Sequence, residues 1–348
     1  MKKLFLIYGG KSQEHDISIL TALNISKSLD YQLYEVYPIY IAKNGVWHAL
    51  NRLECGAQSE QELTAISQHS EVLPTVIKQD NAIVFPVLHG PNGEDGTIQG
   101  LFEMLDVPYV GTGVMASACG MDKIISKKIF EKAGIPQLAY VEVYKKAWED
   151  DAQSLIQKCE NELTYPMFVK PANMGSSVGI SKAENVSELE NAIRVALRYD
   201  RRVVVETGVI ARELEVAMLG NDDAKASVVG EVLKVVDFYD FEEKYKNGNA
   251  QLQIPAKIDE TISRQIRDYA VTAYKALDGS GLSRVDFFLT ENNDIYINEI
   301  NTLPGFTQFS MYPLLWEATG IAYADLITEL LRLAQERYDE KKLYQQVN

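Results

Sequence analysis

Short apolar runs that stop at glycine, alternating with longer segments that are apolar on one side only, constrain this chain more than any other feature. That alternation is the pattern of strand and helix units in a parallel sheet. Leu4-Phe5-Leu6-Ile7-Tyr8 stops at Gly9-Gly10, and residues 82–88 stop at His89-Gly90, so each reads as a buried strand. Between them, Ile17, Leu20, Leu23 and Leu29 are interleaved with Ser18, Thr21, Ser26 and Lys27, which predicts a helix with one buried stripe, capped by Ser12 or Asp16. Residues 34–41 supply another strand, while 44–80, polar and irregular, are expected to be surface elaboration. The loop His89-Gly90-Pro91-Asn92-Gly93-Glu94-Asp95-Gly96 falls at a strand's carboxyl end, where open α/β sheets bind ligands.

A second unit starts near Met121. Helices are predicted at 126–133, 187–198, 262–277 and 323–337, and strands at 166–171, 202–206, 214–219, 228–235, 285–289 and 295–300. For 348 residues, at roughly 150 per domain, two domains are expected and three small ones are permitted. A chain 46% hydrophobic and 24% charged is soluble and globular. Its 34 basic residues stand against 49 acidic ones, a net charge of −15. That field repels nucleic acid and anionic membrane surfaces, so a phosphate ligand needs local lysines, amides or metal. No stretch approaches the roughly 20 apolar residues that span a bilayer. The opening apolar run ends at Gly9-Gly10 with no cleavage site after it, so a cytoplasmic protein is expected. Cys55, Cys119 and Cys159 are widely spaced and read as reduced structural thiols.

Two motifs imitate phosphate sites. Gly10-Lys11-Ser12 resembles the end of a P-loop, but the glycine required five positions earlier is Phe5. Gly111-Thr112-Gly113-Val114-Met115-Ala116 fits a dinucleotide fingerprint without following the first strand, which leaves a dehydrogenase as a weak alternative. The loop Gly175-Ser176-Ser177-Val178-Gly179 is more informative: small residues let amides converge on an anion, hydroxyls add donors, and Lys170 and Lys123 supply cations. An ordinary turn is its rival. The strongest chemistry lies at 284–305. Alternation puts Glu299 and Asn301 on one face of a returning strand with Asn298 opposite, and a hairpin partner carrying Asp286 brings a third oxygen ligand. Oxygen-only ligands in small number suit Mg²⁺ that completes its shell with water and nucleotide phosphates. A solvated acidic edge is the alternative, and the apolar flanks argue against it. Glu206 and Glu213 read as a nearby acid pair, of the site or of the surface. Lys244 and Tyr245 sit in the polar stretch 239–248, which has the composition of a lid. His89 reads as a site residue or as a satisfied structural histidine.

Taken together, Gly9-Gly10-Lys11-Ser12-Gln13-Glu14-His15-Asp16-Ile17-Ser18, the loop from His89 to Thr97, Met121-Asp122-Lys123, the 175–179 loop and Asn298-Glu299-Ile300-Asn301-Thr302-Leu303-Pro304-Gly305 closely resemble the D-alanine–D-alanine ligases of the ATP-grasp superfamily. The resemblance covers essentially the whole chain. It implies an α/β, three-domain ATP-grasp architecture with an N-terminal Rossmann-like parallel sheet: 1–121 as the substrate domain, 122–207 as the central domain, 208–348 as the C-terminal domain. It implies ATP as cosubstrate, with Lys123, Lys170, Ser177 and Lys244 on phosphates, Glu206 and Val209 at the adenine and Glu213 at the ribose. Asp286, Glu299 and Asn301 would hold two Mg²⁺ or Mn²⁺ ions. Glu14 and His89 would serve the first D-alanine, Ser310 and the Met311 amide the second, and Arg284 with the Gly305 amide the acyl oxygen. A network of Glu14, Ser176 and Tyr245 would tie lid to substrate, and tyrosine at that lid position goes with dipeptide rather than ester formation. Tyr239-Asp240-Phe241 departs from the family's more usual Tyr-Asp-Tyr. The implied reaction makes D-alanyl-D-alanine through an acylphosphate for peptidoglycan precursors, in a cytoplasmic homodimer with no nucleic-acid or membrane partner. A related ligase with another amino acid, and a regulatory nucleotide-binding module, are the competing readings.

Overall fold

The computed structural model describes residues 1–67, 70–176, 178–233 and 251–345. Among them, the chain builds three sheets in sequence order. The first contains β1 (Lys2–Gly9), β2 (Tyr34–Ile41), β3 (Trp47–Ala49), β4 (Glu71–Val72) and β5 (Ala82–Pro86), ordered β4-β3-β2-β1-β5. The apolar runs form its parallel centre, β2-β1-β5, because strands buried on both faces need helices above and below. Residues 44–80 are not merely surface elaboration. They supply the antiparallel edge β3-β4, where Tyr40 pairs with His48 across the ladder and their rings lie 6.2 Å apart. On this unit lie α1 (His15–Ser28), α2 (Glu60–Leu63), α3 (Thr97–Leu105) and α4 (Val114–Met121).

The second sheet, β6 (Tyr140–Tyr144), β7 (Met167–Pro171), β8 (Ser181–Ala183) and β9 (Arg202–Thr207), runs β6-β9-β7-β8, and its described pairings are antiparallel. Its helices are α5 (Lys123–Lys132), α6 (Lys145–Glu162) and α7 (Val186–Ala196). The 18-residue α6 matches no expected element, because it buries little beyond Trp148, Ile156 and Cys159 and so shows a thin apolar stripe. The third sheet, β10 (Ala211–Gly220), β11 (Lys225–Leu233), β12 (Gln251–Gln253), β13 (Gly281–Thr290) and β14 (Ile295–Asn301), is antiparallel in the order β12-β11-β10-β13-β14. It carries α8 (Glu260–Ala276), α9 (Met311–Thr319) and α10 (Tyr323–Gln345).

The cores do not follow the sheets one to one. Leu4, Leu6 and Phe85 of the first sheet share a core with Phe306, Tyr312, Trp316 and Leu330 from the C-terminal region. The second sheet keeps its own core of Val141, Trp148, Ile193 and Val205. Gly111, the centre of the dinucleotide-like motif, is buried against the backbone of Gly281, where an added Cβ would lie 3.2 Å from the Gly111 nitrogen, and its carbonyl accepts from Arg337. Two backbones in contact leave no place for a pyrophosphate. The motif is a packing device, and the dehydrogenase reading loses its support.

Candidate active site

The loops after β1 and β5 converge because α1 binds both. Ser18 Oγ accepts from the Gly9 amide at 2.8 Å and donates to the Val87 carbonyl at 2.6 Å, while Thr21 Oγ1 lies 3.3 Å from His89 Nε2. The buried face of α1 therefore includes Ser18, Thr21 and Ser26, the residues read from sequence as interrupting the apolar stripe. They are inside because buried loop amides and carbonyls need partners. Neither Ser12 nor Asp16 caps this helix. Glu14 stands at the N-cap without a capping bond, and its carboxylate instead accepts from Ser176 Oγ at 2.6 Å. Gly90 is required beside it: with φ of 73°, and a Cβ that would come within 2.5 Å of Glu14 Oε2, any side chain there would evict the carboxylate. Ser176 itself holds a left-handed φ of 50°, a conformation non-glycine residues adopt at an energetic cost and often at sites.

His89 is 4% exposed, with Nδ1 3.2 Å from the Leu303 carbonyl and 3.8 Å from Glu94 Oε1. Burial would lower its pKa, but Glu94, Glu14 and the Leu303 carbonyl outweigh burial and raise it above 6.5. It stands behind Glu14 and lines neither of the two cavities at this site.

One cavity of about 230 Å³ opens between the second and third sheets. Its lining is apolar at Leu138, Phe168, Ile180 and Val209 and charged at Lys123, Lys170, Glu206, Glu213, Arg284, Asp286 and Glu299. A second, of about 210 Å³, lies between Lys11–Glu14, Pro91-Asn92 and the 174–178 loop, and Met174, Gly175 and Ser176 wall both.

Lys123 opens α5, whose N-cap Asp122 accepts from the amides of Ile124 and Ile125 and is ion-paired with Arg202. Pinned there, Lys123 donates to the Met174 carbonyl at 2.9 Å and lies 3.3 Å from Glu299 Oε2. Glu206 sits between two buried ammonium groups, Lys127 on one oxygen and Lys170, at 2.5 Å, on the other. Burial pushes its carboxyl up, but the two lysines prevail and hold it down at about 2. For Lys170, burial pulls down and Glu206, with Glu299 and Glu213 beyond it, pushes up; the net is upward. Sequence reading missed Lys127, although a lysine midway between buried Ile124 and Phe130 on one helical face is a detectable anomaly.

This geometry sets a pH dependence. A carboxyl depressed from 4.5 to about 2 stabilises the folded state above pH 4.5 and loses that contribution as pH falls toward 2. Glu206→Gln is therefore expected to unfold more easily at neutral pH yet to show a flatter fall of thermal midpoint between pH 4.5 and 2. Parallel curves for the two proteins would contradict the assignment.

The hairpin β13–β14 carries the side chains expected to be oxygen ligands. Asp286 pairs with Glu299 across the ladder and Arg284 with Asn301. Asn298 does not oppose them as alternation predicts: a bulge after Glu299's partner places Asn298 and Glu299 together on the cavity side, and Lys170 Nζ donates to Asn298 Oδ1 at 3.2 Å. Arg284 forks onto both Asp286 oxygens at 2.7 Å and onto Glu215 at 2.8 Å. Asn301 Oδ1 accepts from the Leu303 amide at 3.1 Å. Among the described residues no group of three His, Cys, Asp or Glu side chains forms a closed metal site. Two facing carboxylates and an amide, all oxygen donors, fit a hard divalent cation that takes further ligands from phosphates. Ser310 Oγ accepts from the Thr307 amide at 3.1 Å just before Met311 opens α9, so the first α9 amides and Gly305 lie together. Ser177, Lys244, Tyr245 and the 239–248 stretch lie outside the described residues.

Residues 3–112 match the family model for the D-ala D-ala ligase N-terminus and 129–332 that for the D-ala D-ala ligase C-terminus. The chain is 50% identical to the D-alanine–D-alanine ligase of Enterococcus hirae, with 99% of each covered, and 49% identical to that of Bacillus cytotoxicus, covering 98% of this chain and 97% of the relative. Among solved structures, the D-alanine-D-alanine ligase from Coxiella burnetii superposes with a TM-score of 0.83 at 33% identity, over 99% of this chain and 97% of the other. The VanG D-Ala:D-Ser ligase from Enterococcus faecalis gives 0.84 at 34%, over 96% and 99%. Matched in both halves and along its whole length, the chain belongs to the D-alanine–D-alanine ligase family.

Proposed function

We propose that this protein joins two D-alanine molecules into D-alanyl-D-alanine, converting ATP to ADP and phosphate, and so supplies peptidoglycan precursor synthesis from the cytoplasm as a homodimer. The observation that carries the proposal is the pair of cavities sharing the wall Met174–Ser176: one combines apolar side chains that suit a base with Lys123 and Lys170 that suit phosphates, and the other holds a buried carboxylate suited to an ammonium group. The working division is 1–121 for substrate, 122–207 and 208–348 for gripping ATP.

In this reading the base lies at the Phe168 end with Glu206 and the Val209 backbone at its edge, Glu213 takes the ribose, and Lys123 and Lys170 meet phosphates. Ser177 and Lys244 serve the same phosphates. Asp286, Glu299 and Asn301 would hold Mg²⁺ or Mn²⁺, which when bound neutralises the phosphates and the charge that spreads in phosphoryl transfer. Glu14, backed by His89 and fixed by Ser176, holds the first ammonium so that its carboxylate faces the γ-phosphoryl across the shared wall. The carboxylate takes that phosphoryl, and the acylphosphate gives the second amine a leaving group. Arg284 and the Gly305 amide donate to the acyl oxygen as it becomes negative, and Ser310 with the Met311 amide holds the second carboxylate. No protein nucleophile is needed. Tyr245, a tyrosine at the position that by family resemblance goes with dipeptide formation, favours the amine over a hydroxyl acceptor.

Product analysis tests this. With ATP and D-alanine alone, ADP and D-alanyl-D-alanine should form one to one, and adding D-serine or D-lactate should leave the dipeptide dominant. ADP without dipeptide, or a dominant mixed product, would overturn the proposal. Replacing Ser176 by alanine removes the 2.6 Å hydrogen bond that its hydroxyl donates to the Glu14 carboxylate. We expect KM for D-alanine to rise about tenfold, the value of one charge-assisted hydrogen bond, with kcat less affected. An unchanged KM in initial-rate assays would detach Ser176 from substrate binding.

A further inference from the structure

We infer that Lys127 is a positioning residue for nucleobase choice: it holds the Glu206 carboxylate in the orientation that accepts an exocyclic amino group. The inference rests on the proposed placement of Glu206 at the adenine. Lys127 is 3% exposed, in contact with Glu206 Oε1 and 5.1 Å above the centre of the Tyr140 ring, while Lys170 holds Oε2 at 2.5 Å. Glu206 and Lys170 line the 230 Å³ cavity, and Lys127 does not. It therefore acts through Glu206.

An ionised carboxylate offers about four acceptor positions and no donor. Two ammonium groups gripping opposite oxygens fix the plane of the group and leave acceptor capacity toward the cavity. Such a wall pairs with a 6-amino group and meets a 6-oxo group lone pair to lone pair. Lys170 alone cannot hold that plane, because its ammonium also donates to Asn298 Oδ1 at 3.2 Å and belongs to the phosphate end. Without Lys127, Glu206 Oε1 would face the electron-rich Tyr140 ring, and the carboxylate would swing toward Lys170. An apolar side chain of equal length would fill this place without the desolvation that an ammonium carries, so the charge has a use beyond packing.

Initial rates of wild type, Lys127→Met and Lys127→Arg, measured with ATP and with purine riboside 5′-triphosphate, which lacks the 6-amino group, test the inference. Wild type should show a KM for ATP about tenfold below that for the analogue, as one charge-assisted hydrogen bond provides; equal values would remove the Glu206–adenine placement itself. In Lys127→Met the KM for ATP should rise about tenfold with that bond lost, while the analogue's KM and kcat stay within about threefold, so discrimination vanishes. Lys127→Arg should restore most of it. An equal rise for both nucleotides with discrimination intact overturns the role of Lys127 and leaves the Glu206 placement standing. The KM ratio does not depend on the folded fraction, and if Lys127→Met yields no folded protein, Lys127→Gln measured the same way decides.

Discussion

Replacing Glu299 by alanine should abolish D-alanine-dependent phosphate release, with a loss on the order of 10³-fold or more when one ligand of a metal-phosphate site is removed. Glu299 faces Asp286 across the hairpin and lies 3.3 Å from Lys123, so its removal takes charge from the proposed metal site and from beside the lysine proposed to meet phosphate. Its side chain is 39% exposed, and the strand's buried residues, Ile297 and Ile300, are untouched. The thermal midpoint should therefore move little. Phosphate release and a melting curve on the same preparation check both halves of this expectation. Retained turnover would mean that the hairpin is an acidic edge after all.

The second large effect is expected at Arg284. Its guanidinium bridges Asp286 and Glu215 and sits opposite Asn301 at the mouth of the proposed metal site. Arg284→Ala removes the proposed donor to the developing oxyanion, a change that lowers kcat by roughly 10²- to 10³-fold in comparable sites. It also takes a positive charge from beside the proposed metal site, so the Mg²⁺ concentration needed for half-maximal rate should fall. Lysine should not rescue it, because a single ammonium cannot reproduce the planar fork that reaches both acids. Steady-state rates across a Mg²⁺ titration measure both effects. A kcat within tenfold of wild type would place the oxyanion donor elsewhere.

The parts of this molecule that could be read from sequence are those written in local periodicity or in contiguous motifs. β5 and the Leu4–Tyr8 part of β1 are short and continuously apolar, and β2 is interrupted only by Glu35 near its start, so their burial and position follow from pattern alone. The regular register of this hairpin, Leu289 opposite Ile295 and Phe287 opposite Ile297, would set Asp286 opposite Asn298, and the bulge sets it opposite Glu299 instead. Alternation puts Asn298 on the wrong face because a bulge breaks the two-residue period without any glycine or proline to announce it. Ser18 and Thr21 looked like interruptions of an apolar stripe, and only the third dimension shows the loop amide, carbonyl and histidine that bring them inside. Lys127 was hidden for the same reason: its meaning lies in Glu206, distant in sequence and adjacent in space. Pairings of that kind are set by tertiary packing, which no local spacing encodes.

The central claim is that a substrate carboxylate is activated by taking a phosphoryl group before the amide forms. Turnover of D-alanine labelled with ¹⁸O in its carboxylate tests it most directly. If the acylphosphate is made and then attacked by the second amine, each dipeptide formed delivers one labelled oxygen to inorganic phosphate. Phosphate free of label, with dipeptide accumulating, would contradict the account.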